Sequence, residues 1–180
     1  MVERPLAVIT HGFATSPRRI WIPQVTNQLE EAGYQVLTPK MPNAKIPNLD
    51  EWIARLVEVI GDSVDATVIA HSCSGRAALH YAETHPLRHL VCVATLVSTV
   101  TDNSEIEEIW RPYYSRYLDT QTIQDNCHNI LGLYSEDDSV FPYSEADVFE
   151  QRLGSVLRFQ DQGHFREKTL PINLYEYLKH

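Results

Sequence analysis

The sequence predicts an α/β fold, a three-layer sandwich in which helices cover both faces of a mostly parallel sheet of about six strands. Three observations carry this. Short apolar runs alternate with stretches of helical spacing along the chain. The run Thr67-Val68-Ile69-Ala70 passes directly into a turn at Ser72 and a helix start. Polar loops containing Asp, Ser, Gly and His follow the strands. Open α/β sheets bind ligands outside the carboxyl ends of their strands, so chemistry is expected in those loops.

The elements follow in order. Leu6-Ala7-Val8-Ile9-Thr10 is a buried strand that ends in His11-Gly12-Phe13-Ala14. Residues 21–32 have helical spacing and stop at Gly33, a C-terminal glycine cap. Residues 35–37 form a second strand ended by Pro39, and 40–47 a proline-punctuated loop. Asp50 then caps a helix running to about Ile60, with Gly61 closing it. The third strand carries the turn at Ser72, and 74–84 is its helix. Residues 90–97 are apolar and β-branched, a central strand. The pattern loosens over 98–124, which holds Trp110, Tyr113, Tyr114 and Tyr117. A strand at 129–134, a helix at 145–153, a short strand at 156–159 and a helix at 170–179 complete the set. A single domain spanning 1–180 is expected.

Composition excludes several classes of protein. With 180 residues, 43% hydrophobic and 22% charged, the chain has the makeup of a globular domain with one substantial core. Its 24 acidic against 15 basic side chains leave a net charge of −9, which argues against nucleic-acid partners and anionic membrane surfaces. No charged start leads into an apolar segment and no apolar run has membrane-spanning length, so a cytoplasmic location is expected. Cys73, Cys92 and Cys127 have unrelated spacings and read as reduced thiols. The histidines show no two-ligand spacing, so neither a metal nor a cofactor is expected. His80, His85, His89, His128 and His180 read as surface or packing residues.

The strand-turn-helix at Ala70-His71-Ser72-Cys73-Ser74-Gly75 is a nucleophile elbow, which holds a serine hydroxyl at a strand tip in front of a helix N-terminus. The usual pattern is Gly-x-Ser-x-Gly, because side chains two positions either side crowd where strand and helix nearly touch. Here those flanks are Ala70 and Ser74, both small, with Gly75 following. Serine, acid and histidine then come in the order this architecture uses. Ser135-Glu136-Asp137-Asp138 exposes carboxylates after one strand, with Asp137 and Asp138 both candidates for the acid, and Gly163-His164-Phe165 supplies an imidazole after the last. Phe13 or Ala14 offers a backbone N–H opposite that of Cys73, a pair suited to an oxyanion. The Cys73 thiol is not expected to attack, since its position supplies an amide.

The runs Ala70-His71-Ser72 and Tyr81-Ala82-Glu83-Thr84-His85, with Met41-Pro42-Asn43, Gln124-Asp125-Asn126-Cys127, Ser135-Glu136-Asp137-Asp138 and Gly163-His164-Phe165, resemble the retinoblastoma-binding protein 9 and YdeN-like serine hydrolases. That resemblance covers nearly the whole chain. It implies a minimal α/β-hydrolase fold without a cap domain or leading antiparallel strands, with the second strand at one edge of the sheet and the Ser72 strand central. It also implies Ser72 as nucleophile, His164 as base and, counting back from Pro142, Asp138 as acid. Members look like esterases or peptidases acting on small substrates.

The expected activity is cleavage of a small ester or amide through an acyl-enzyme, with the Phe13 and Cys73 amides receiving the oxyanion. His11, Trp110 and Tyr114 are expected to contact the substrate. An acyltransferase or a peptidase would use the same triad. A protein-binding module with weak residual activity is a further alternative, and the family's naming suggests a protein partner.

Overall fold

In the computed structural model, which describes residues 4–101 and 107–179, six strands form one sheet. They are β1 (Leu6–Thr10), β2 (Gln35–Leu37), β3 (Thr67–His71), β4 (Leu87–Val93), β5 (Cys127–Ser135) and β6 (Ser155–Phe159). Their order is β2-β1-β3-β4-β5-β6, and every pairing is parallel. The edge position of β2 and the central position of β3 match what the resemblance implies.

Register explains why these segments are so apolar. Val8, Val68, Leu90 and Ile130 lie in one row across the sheet and face one core; Ile9, Ile69, Val91 and Leu131 form the next row and face the other. Both faces of a parallel sheet are covered, so both residue parities must be apolar.

The first face packs against α2 (Leu49–Ile60), α3 (Cys73–Ala82), α4 (Arg111–Tyr114), α5 (Thr120–Asn126) and α6 (Glu145–Arg152), burying Trp52, Leu56, Leu79, Tyr114 and Phe149. The second packs against α1 (Ile22–Glu31) and the C-terminal segment with α7 (Tyr175–Leu178), burying Trp21, Leu29, Phe165 and Leu174. Each such side chain contributes roughly 1.5–3 kcal/mol relative to exposure.

Several sequence expectations need correction. Asn48, not Asp50, caps α2: its side chain accepts the Glu51 N–H at 3.1 Å, and Asp50 sits in the first turn. The strand expected at 90–97 is Leu87–Val93, because Ala94 turns out of the sheet at φ 49°. The loosely patterned stretch contains α4 and α5, both too short to show an amphipathic period; its residues 102–106 lie outside the described residues. The closing helix is only Tyr175–Leu178, since the chain before it, with Pro171, is irregular and anchors through buried Leu170 and Leu174. His180 lies outside the described residues. Among the described residues no helix is long and apolar enough to cross a membrane.

Candidate active site

β3 hands the chain to α3 through Ser72 at φ 58°, ψ −127°, a conformation costly for a residue with a Cβ. The turn is held on both sides. Ser72 N–H donates to the Val93 carbonyl at 2.8 Å, and a Cβ on Gly12 would come within 2.9 Å of the Ser72 Cβ, so the loop after β1 closes against the elbow only with glycine there. A Cβ on Gly75 would lie 1.9 Å from the Thr95 hydroxyl. In this chain the close approach falls at 75, which frees position 74 for a serine. Ser74 is fully buried; its hydroxyl accepts from Thr10 Oγ1 at 2.9 Å and donates to the His71 carbonyl at 2.9 Å.

The loops after β3, β5 and β6 bring three side chains into line. Ser72 Oγ lies 2.9 Å from His164 Nε2, and His164 Nδ1 lies 2.8 Å from Asp138 Oδ2. With the proton on Nδ1 donated to Asp138, Nε2 presents its lone pair to the serine hydroxyl. The His164 and Asp138 side chains are 4% and 6% exposed, so solvent competes little for either contact. The second Asp138 oxygen accepts the Val140 and Phe141 N–H groups at 2.7 and 3.2 Å, which fixes the carboxylate plane.

Asp137 points elsewhere. Its Oδ1 accepts the Ser135 hydroxyl at 2.6 Å and the Gly163 N–H at 2.7 Å, bracing the loop that carries the imidazole; these two bonds hold its carboxyl below the usual carboxylate range. Ser135 Oγ in turn accepts the Gln162 N–H at 2.9 Å.

Of the two amides weighed after β1, that of Ala14 donates to the Ala44 carbonyl at 2.8 Å, which leaves Phe13 as the candidate opposite Cys73. The Cys73 N–H opens α3 and has no carbonyl within the helix to receive it. The Cys73 thiol is buried and pushed up to about 12 by that burial, so it stays protonated at neutral pH. Cys92 and Cys127 are buried free thiols away from the cavity.

A cavity of about 1380 Å³ opens over Ser72 and His164. Rings border it in sequence: Phe13 meets Trp110 at 5.1 Å between centroids, Trp110 meets Tyr114 at 6.1 Å, Tyr114 meets Phe141 at 6.0 Å, and Phe141 meets His164 at 5.5 Å.

A family model described as serine hydrolase matches residues 7–170. The chain belongs to the serine hydrolase family. This serine hydrolase is 30% identical over 161 residues to Serine hydrolase RBBP9 of Rattus norvegicus, covering 88% of this chain and 81% of that one. It is 27% identical over 170 residues to Putative hydrolase YdeN of Bacillus subtilis, covering 91% and 90%. The crystal structure of the B. subtilis ydeN gene product superposes with a TM-score of 0.84 at 24% identity, covering 97% of each chain. Est1E from Butyrivibrio proteoclasticus superposes at 0.71 with 15% identity, covering 98% of this chain and 85% of the other, a likeness of fold.

In this serine hydrolase, Trp110 and Tyr114 line the cavity over Ser72, whereas His11 does not. His11 is fully buried; its Nδ1–H donates to the Gly12 carbonyl at 3.0 Å and its Nε2 accepts the Met41 N–H at 3.0 Å. Burial lowers its pKa, and the ring is a neutral clasp between two loops, so the expectation of substrate contact is corrected. Tyr113 is also buried, its hydroxyl donating to the Cys73 carbonyl at 2.9 Å, and Tyr117 is 69% exposed.

Sequence reading assigned no partner to two supports. His71 Nε2–H donates to the His164 carbonyl at 2.9 Å, and burial, reinforced by His164 nearby, holds the His71 imidazole down to about 3. Arg76, fully buried on α3, donates to main-chain carbonyls of the 97–116 segment. An arginine on an otherwise apolar helix face was the available signal for the second; for the first, a histidine beside the elbow reads as structural, and only its partner was out of reach.

Proposed function

We propose that this hydrolase cleaves small esters or amides through an acyl-enzyme formed on Ser72. The observation that carries the reading is the unbroken hydrogen-bonded line from Ser72 Oγ through His164 to Asp138, at 2.9 and 2.8 Å, opening on a cavity. A serine hydroxyl is a weak nucleophile at neutral pH, so His164 Nε2 takes its proton as Oγ attacks the substrate carbonyl. Asp138 keeps the other ring nitrogen protonated and stabilises the imidazolium that forms. The tetrahedral oxyanion lies between the Phe13 and Cys73 amides, each worth about 2.7–4 kcal/mol of transition-state stabilisation in sites of this kind. The imidazolium returns its proton to the departing alcohol or amine. Water then attacks the acyl-enzyme with the same base, releasing the acid and restoring Ser72.

The test is labelling by a fluorophosphonate probe together with turnover of p-nitrophenyl esters. Wild-type protein takes up one probe per chain and Ser72→Ala takes up none, with turnover reduced about a million-fold. Labelling retained in Ser72→Ala, or none in the folded wild type, overturns the reading.

A further inference from the structure

The cavity over Ser72 has two chemically different walls. One is aromatic, from Trp110, Tyr114 and Phe141. The other is built from the loop between β1 and α1 and the stretch after His164, and it brings Arg18, Arg19, Arg166 and Lys168 to the same opening. Among the described residues, the ion pairs of arginine and lysine engage Arg55, Arg88, Arg111, Arg116, Arg158 and Lys179 instead. None of the four cavity cations has a carboxylate partner among the described residues. Among the described residues two carboxylates also line the cavity. Glu145 is already engaged by the Val97 and Ser98 amides, and Glu107 sits with Trp110 in the aromatic wall's segment.

The backbone aims these cations. Ile20 adopts φ 52°, which is unfavourable for a β-branched residue, and this turn buries Trp21 while leaving Arg18 and Arg19 outside. Phe165 adopts φ 51°, itself buried, with Arg166 exposed directly after it. The two segments share one core and are joined where the Leu170 N–H meets Gln24 Oε1 at 3.0 Å. Four cations without an ion-pair partner among the described residues therefore converge on one opening of a protein whose net charge is −9. Their mutual repulsion is relieved by an anion, and a guanidinium fork matches a carboxylate in shape.

We infer that the substrate acted on at Ser72 carries a carboxylate, received by Arg18, Arg19, Arg166 and Lys168 while its apolar part lies against Trp110, Tyr114 and Phe141. This rests on the acyl-enzyme reading for its chemistry, though not for its binding.

Two matched ester pairs test it. Phenyl hydrogen glutarate against phenyl pentanoate places the charge on the acyl side; 4-acetoxybenzoate against 4-methylphenyl acetate places it on the alcohol side. With each rate divided by the uncatalysed rate of the same ester, at least one carboxylate ester exceeds its neutral partner about tenfold in kcat/KM. That ratio falls about fivefold in Arg18→Gln/Arg19→Gln or in Arg166→Gln/Lys168→Gln, and is unmoved by Arg88→Gln at the far end of the sheet. Ratios at or below one for both pairs, or a ratio indifferent to both double variants, overturn the inference. Calorimetric affinities of the same esters for Ser72→Ala protein make the comparison without turnover. Failure of wild-type protein to cleave any of the four esters thus counts against the acyl-enzyme reading, and the affinities still decide the charge preference.

Discussion

Arg76 and Glu145 grip Val97 from opposite sides: an Arg76 Nη1–H donates to the Val97 carbonyl at 2.6 Å, and the Glu145 carboxylate accepts the Val97 N–H at 2.7 Å. Glu145 also accepts the Ser98 N–H at 2.9 Å, while the other Arg76 nitrogen reaches the Tyr114 and Arg116 carbonyls. Two buried charges thus tie the aromatic wall to the elbow helix through main-chain groups. Arg76→Leu leaves those carbonyls unpaired and is expected to destabilise the protein by about 3 kcal/mol in urea unfolding. Because the wall shifts while the Ser72 relay stays, KM for aromatic esters rises more than kcat falls.

Ser74→Gly would restore the commoner elbow pattern, yet a loss is expected. The substitution removes the hydroxyl that accepts from Thr10 and donates to the His71 carbonyl, at a cost of about 1–2 kcal/mol in thermal or urea unfolding. Activity is not improved, because the close contact here falls on Gly75.

At Gly75 itself, an added methyl meets the Thr95 side chain. Gly75→Ala is expected to cost roughly 2–3 kcal/mol. Thr95→Ala in the same chain relieves much of it, so a double-mutant cycle of unfolding energies shows strong positive coupling.

The neighbouring aspartates separate by kinetics. Asp138→Asn disturbs the imidazole tautomer and lowers kcat about 10⁴-fold. Asp137→Asn keeps an acceptor for Ser135 and Gly163 and retains most activity. Because the Asp137 carboxyl is held below its usual range, its brace is complete above that range and is lost only as pH falls through the lowered folded value; hydrogen exchange at Gly163 N–H, taken relative to its intrinsic rate, speeds up only below the ordinary carboxylate range.

His71 makes the fold acid-sensitive. Its folded pKa of about 3 lies below the ordinary 6.5, so the unfolded chain takes up the proton first. Stability is full above pH 6.5 and declines as pH falls toward 3, by on the order of 3–5 kcal/mol from this group. His71→Phe flattens that part of the stability profile. It also frees the His164 carbonyl, and kcat drops about tenfold through a small displacement of the base.

Local pattern made the strands, the elbow and the order of serine, acid and histidine legible. Two-sided burial forces continuous apolar runs such as Val68-Ile69-Ala70, and a turn between strand and helix restricts residue size around Ser72. Local pattern misled at His11, where a histidine beside a glycine looks like a ligand group and is a clasp between loops. It was silent about α4 and α5, too short to show a period, and about Asp137, whose second role depends on Gly163 arriving from another strand.

By itself, then, the chain determined its alternation of strand and helix, the strained serine between β3 and α3, and the two further side chains that meet it, because each is encoded by a few adjacent residues. Only the tertiary structure decided which aspartate faces His164, which of the Phe13 and Ala14 amides is taken by the Ala44 carbonyl, and which cations share a cavity with Ser72. Those are contacts between segments far apart in sequence, set by parallel strands that carry every functional loop to the same end of the sheet.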